Sequence, residues 1–106
     1  MARASHTRRT THVNAIVQLP VDSRIAEAEA LHRQLRQAMT TGPVSVDGSA
    51  VDRVDTSVLQ LLAVCQRELQ QRGTSMGWVG VSNALRAAAA QLGLTQTLAL
   101  PTHPSN

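Results

Sequence analysis

Three times along the chain a short β-branched run is followed by a break and then by apolar residues at three- and four-residue steps. The first run, Val13 to Leu19, reads V-N-A-I-V-Q-L and stops at Pro20, which has no N–H to give a ladder, so it predicts a strand. Asp22 or Ser23 then offers an N-cap oxygen. Ile25, Ala28, Leu31, His32, Leu35, Ala38 and Met39 follow at helical spacing up to Gly42-Pro43. That pattern predicts an amphipathic helix of about 18 residues, roughly 27 Å long.

Val44-Ser45-Val46-Asp47 predicts a brief second strand before Gly48-Ser49, and a short loop leads to Val54. Asp55-Thr56-Ser57 therefore opens a second helix running to Arg72, with the Asp55 carboxylate as its cap. Val58, Leu59, Leu61, Leu62, Val64, Cys65 and Leu69 give this helix an apolar surface wider than one stripe, which predicts the most buried helix of the fold. Gly73 stops it, and Met76 to Val81 reads as a third strand whose Gly77 and Gly80 mark close approach of other atoms. Ser82 caps a third helix with Leu85, Ala88, Ala89 and Leu92 inward, which a Schellman turn at Gly93-Leu94 ends. Leu98-Ala99-Leu100 predicts a short edge strand.

Strand and helix in strict alternation imply an α/β fold with a small, mostly parallel or mixed sheet of about four strands packed against helices. At 106 residues there is room for one core only. That core spans residues 13–100, with a disordered arm over 1–12 and a Pro-rich, disordered C-terminal end over 101–106. It is aliphatic, because Trp78 is the single aromatic residue. All ten basic residues are arginine, and Arg3, Arg8 and Arg9 fall in the arm. From Val13 onward seven arginines meet seven acids, so the net charge of +3 belongs to the arm and the body is balanced. A nucleic-acid role would rest on three arm arginines, too few phosphate contacts for strong binding. One cysteine excludes an internal disulfide, and no apolar run reaches the length of a membrane span. These features point to a cytoplasmic chain.

Catalytic chemistry finds little purchase. His6, His12 and His103 lie towards the ends, and His32 has no second ligand three or four residues further on, so no metal is expected. Cys65 lies on the apolar face of its helix without a histidine near it in sequence and reads as a core residue. No nucleophile elbow and no phosphate-binding glycine loop is present. No catalytic residue and no cofactor is assigned. The informative constellation is Val54-Asp55-Thr56-Ser57, where a hydroxyl at a helix start is well placed to carry a phosphate beside an acid.

Val44 to Asp47, Val54-Asp55-Thr56-Ser57 before Val58-Leu59-Gln60-Leu61-Leu62, Gln71-Arg72-Gly73, Trp78 to Ser82, and Leu85 through Leu94 together resemble the STAS domains of sulfate transporters and anti-sigma factor antagonists. In that family an Asp-Ser-Ser-Gly or Asp-Thr-Gly-Gly stretch stands here, and the residue after the aspartate is phosphorylated in bacterial antagonists. The resemblance implies Thr56 as a phosphorylation candidate and Asp55, Thr56, Ser57 and Val58 as the partner-binding surface, with Ser57 and Val58 standing at glycine positions. The implied partner is an anti-sigma or histidine-kinase-like protein. The Asp-Thr form is also similar to the STAS subunit of bacterial phospholipid-trafficking ABC transporters, which implies a transporter ATPase as the alternative partner.

Overall fold

The computed structural model describes residues 15–101. The arm over 1–12, its arginines, His6, His12 and His103 lie outside them. Strand β1 (Ala15–Gln18) leads through Pro20 into a two-residue strand β2 (Asp22–Ser23) and helix α1 (Ile25–Thr41). Strands β3 (Val44–Gly48) and β4 (Arg53–Val54) precede α2 (Thr56–Gln71). Strand β5 (Gly77–Val81) and α3 (Asn83–Gln91) complete the order.

The main sheet has the order β1-β3-β5, all parallel. Its register sets Val17 beside Val46 and Val46 beside Trp78. A separate parallel ladder joins β2 to β4, with Asp22 beside Arg53 and Ser23 beside Val54. The α/β class and the parallel crossovers are as the periodicity predicts. The fourth strand is not: 98–100 forms no strand. Leu98 N donates to the Leu94 carbonyl and Leu100 N to that of Thr95, so the segment closes on itself in turns while Leu98 and Leu100 are buried. Two buried leucines flanking an outward Ala99 mimic the alternation of a strand in sequence.

The core is aliphatic throughout, and α2 supplies its largest share through Val58, Leu59, Leu62, Ala63, Cys65 and Leu69. Leu61 is only partly buried and Val64 is exposed, so the inward stripe is narrower than the sequence suggests. Gln66 lies on that stripe and is fully buried. Its Oε1 accepts from Met76 N at 2.7 Å, while Nε2 donates to the carbonyls of Met76 at 3.3 Å and Leu98 at 3.0 Å. Trp78 Nε1 donates to the same Leu98 carbonyl at 2.8 Å. The C-terminal turns are thereby tied to α2 and β5 through one buried amide.

Helix α3 ends as its sequence predicts: Gly93 has φ +70°, Leu94 N donates to the Ala89 carbonyl and Gly93 N to that of Ala90, the paired bonds of a Schellman motif. Ser82 Oγ accepts from Leu85 N at its start. Of the two glycines in β5, Gly80 is the close approach, since a Cβ there would stand 2.9 Å from Cβ of Ser49, whereas at Gly77 the nearest atom would be 3.7 Å away.

Candidate functional site

The chain after β1 and the chain after β3 run side by side. Asp52 N and Arg53 N both donate to the Val21 carbonyl, and Asp55 N donates to that of Ser23 at 2.9 Å. Ser23 is fully buried, with its hydroxyl donating to the Pro20 carbonyl at 2.8 Å. These bonds bring the starts of α1 and α2 together just beyond the carboxyl ends of β1 and β3, where binding surfaces of open α/β sheets gather.

Asp55 does more than the sequence assigns it. It is the N-cap residue of α2, and its carbonyl accepts from Val58 N and Leu59 N, yet its carboxylate makes no capping bond to α2. Oδ2 instead accepts from Ile25 N at 2.7 Å and caps α1. Helix α1 needs this, because its own N-cap residue is Arg24, whose side chain offers no acceptor. The expected cap at Asp22 or Ser23 is absent because both residues are taken up by β2. One carboxylate thus fixes the relative position of two helix starts 30 residues apart. Replacing Asp55 with alanine is expected to cost about 1 kcal/mol, the ordinary value of an N-cap, and to speed amide exchange in the first turn of α1 rather than of α2. Hydrogen exchange read by NMR distinguishes the two helices.

Thr56 is the first residue of α2 and is exposed, and Ser57 beside it is half-buried with an enclosed Oγ that has no hydrogen-bond partner in the structure. Val58 is the exception among the four residues of the expected contact surface. It is 0% exposed, so it supports that surface from within the core and cannot touch a partner, because the helical twist that turns Thr56 outward turns Val58 inward.

A depression of about 510 Å³ is lined by Asp22, Arg24, Arg53, Val54 and Asp55, the last of them the residue before Thr56. Arg24 pairs with Asp22 at 2.7 Å. The hydrogen bond from Arg24 holds the Asp22 carboxyl below the usual carboxylate range, with the charges of Arg24 and Arg53 adding to it. Any stabilisation from this pair is therefore present at neutral pH and is lost as pH falls through that lowered value. Val21 and Ile25, next in sequence to Asp22 and Arg24, are two exposed aliphatic side chains. The helical periodicity places Ile25 inward, but as the first residue of α1 it lies beyond the end of the sheet.

Sequence reasoning misses Asp22, Arg24 and Arg53 as the residues that line this depression with Asp55. The signal that could have found them is the likeness of Val21-Asp22-Ser23-Arg24 to Val51-Asp52-Arg53-Val54, two short segments each leading into a helix. Of the residues with metal or nucleophile potential, His32 is exposed, its Nε2 accepting from Arg36 Nε at 3.3 Å, and Cys65 is buried, with burial pushing its thiol pKa up. A second depression, about 410 Å³, lies along α2 between Gln60, Ala63, Val64 and Arg67 and the Leu92 and Leu94 side chains, away from Thr56. No helix among the described residues is long and apolar enough to cross a membrane.

A protein-family model described as Mlab, STAS domain, matches residues 6–101. No curated protein and no solved structure matches the chain.

Proposed function

Since the chain belongs to the STAS family, whose domains are protein-interaction modules, we propose that it is a bacterial cytoplasmic docking module with no active site of its own. On this reading it is like an anti-sigma factor antagonist, it regulates an anti-sigma or histidine-kinase-like protein, and Thr56 is its phosphorylation switch. The observation that carries the reading is the exposed Thr56 hydroxyl on the first turn of α2, beside an Asp55 held in place by Ile25 N. A phosphate there adds a charge of about −1.5 to −2. In the free domain water and the positive helix end absorb it at little cost. At an interface the same charge, next to Asp55, has no partner, and an uncompensated buried charge costs several kcal/mol. Phosphorylation therefore weakens docking and leaves folding intact.

Thr56→Glu is expected to lower partner affinity at least about tenfold, or about 1.4 kcal/mol, with the Tm of the parent, and Thr56→Ala to bind as the parent does. Titration of the purified kinase-like partner against the three proteins, with intact mass after incubation with ATP, reads both effects. Equal binding by all three with no added phosphate would sink the switch. The Asp55-Thr56 form, similar to that of the STAS subunit of phospholipid-trafficking ABC transporters, supports the second reading that would then take its place, a constitutive subunit docked on a transporter ATPase.

A further inference from the structure

Val64 on α2 and Leu92, just past α3, are two of the six large apolar side chains left exposed among the described residues, and both line the depression of about 410 Å³ along α2. Leu94 and the buried Ala63 complete its apolar lining, and Gln60 and Arg67 supply the polar side chains. Gln60 and Arg67 stand two helical turns apart, so the lining follows about 10 Å of α2. Arg67 is its only charged residue. That side chain is exposed and makes no ion pair or hydrogen bond among the described residues. No acid of its own half of the chain answers it, because the single acid between Thr56 and Pro101 is Glu68, which pairs with Arg36 of α1 at 2.7 Å.

We propose that this depression binds an aliphatic monocarboxylate, with its chain laid over Ala63, Val64, Leu92 and Leu94 and its carboxylate on the Arg67 guanidinium, whose parallel N–H groups match two carboxylate oxygens. Size and charge select this class. The volume falls in the range of small-molecule sites, about 300 to 1,000 Å³, whereas a specific protein partner needs an interface of about 1,000 Å². A membrane surface or a nucleic acid is held by several cations together, and the lining has one. A cationic ligand finds no acid in the lining, and a neutral one leaves Arg67 unanswered. The site lies away from Thr56 and needs no protein partner for its test, so this proposal and partner docking can fail separately.

Sodium decanoate titrated into the isotope-labelled full chain and followed by amide NMR should bind with a Kd of about 0.1 to 3 mM, as ordinary ligand efficiency gives for a molecule of this size. The largest shifts should fall on residues 60–67 and 92–94. Decanol and decylammonium should bind the parent at least about threefold more weakly, within the range of an exposed ion pair. Arg67→Gln should remove the preference for decanoate and leave decanol binding as it is, and Arg67→Glu should transfer the preference to decylammonium. Val64→Asp should weaken decanoate at least about tenfold, whereas Val79→Asp, exposed on β5, should bind it as the parent does. All these side chains are exposed, so each variant should keep the parent's Tm. Absence of shifts at these residues with decanoate at about 10 mM overturns the proposal. So does equal binding of decanoate and decanol by the parent, or a preference for decanoate that survives Arg67→Gln.

Discussion

Leu62→Ala is expected to lower the stability of the domain by about 2 to 5 kcal/mol, the cost of truncating a buried leucine where the surroundings cannot fully collapse. Leu62 has no exposed surface and sits on α2 in the stripe with Leu59, Gln66 and Leu69. Leu62 lies in one buried cluster with Leu31 and Leu35 of α1, Val46 of β3 and Leu85 of α3, and α1 packs along α2, so the cavity has little chance to close. At about 4 to 8 °C per kcal/mol for a domain of this size, Tm should fall by at least about 8 °C. Urea unfolding followed by circular dichroism measures the change directly. A loss within about 0.5 kcal/mol, the range of surface substitutions, would show that α2 is not the central helix.

Gln66→Leu should be comparably damaging for a different reason. The substitution keeps the volume near that of the amide and removes its three hydrogen bonds. Leu98 O retains Trp78 Nε1, but Met76 N loses the acceptor it has in Oε1 and Met76 O loses Nε2. An unsatisfied buried polar group costs about 1 to 3 kcal/mol, so two of them predict a loss of about 2 to 6 kcal/mol. Trp78 is the only tryptophan and reports on the same junction. Its emission should shift to the red as the C-terminal turns loosen, before global unfolding in a denaturant series. Parent-like stability with unchanged emission would mean that the turns are held by Leu98 and Leu100 packing alone.

What the sequence disclosed depended on how far apart the interacting residues stand. The end of α3 was legible because a Schellman motif is written in consecutive residues, Ala89 to Leu94. The Ser82 cap reaches only to Leu85 and was equally plain. The carboxylate of Asp55 was read locally, as the cap of its own helix, because nothing in a linear string indicates that Ile25 N would be its donor. The β2–β4 ladder, two residues on each side, is too short to leave a periodic trace. Leu98 to Leu100 failed as a strand because alternation alone does not distinguish a ladder from a turn that buries every second side chain. Gln66 looks like a surface residue by type, although its spacing from Leu59, Leu62 and Leu69 puts it on the inward stripe. Of the candidate site, Thr56 and Asp55 were visible and the charged depression beside them was not, since half of it comes from the β1–α1 connection.

The all-parallel sheet also sets the order in which this chain can fold. A hairpin lets neighbouring segments pair as soon as both exist, but here Ala15 meets Val44 and Ser45 meets Gly77, so each pairing waits for an entire intervening helix. Closing those loops costs entropy before any ladder bond repays it, which slows the search relative to a helical bundle of equal length. The smallest piece with a paired strand is β1–α1–β3. A nascent chain shorter than that can form nothing beyond an isolated helix, and β1 has no strand to pair with until residue 44 and its neighbours arrive.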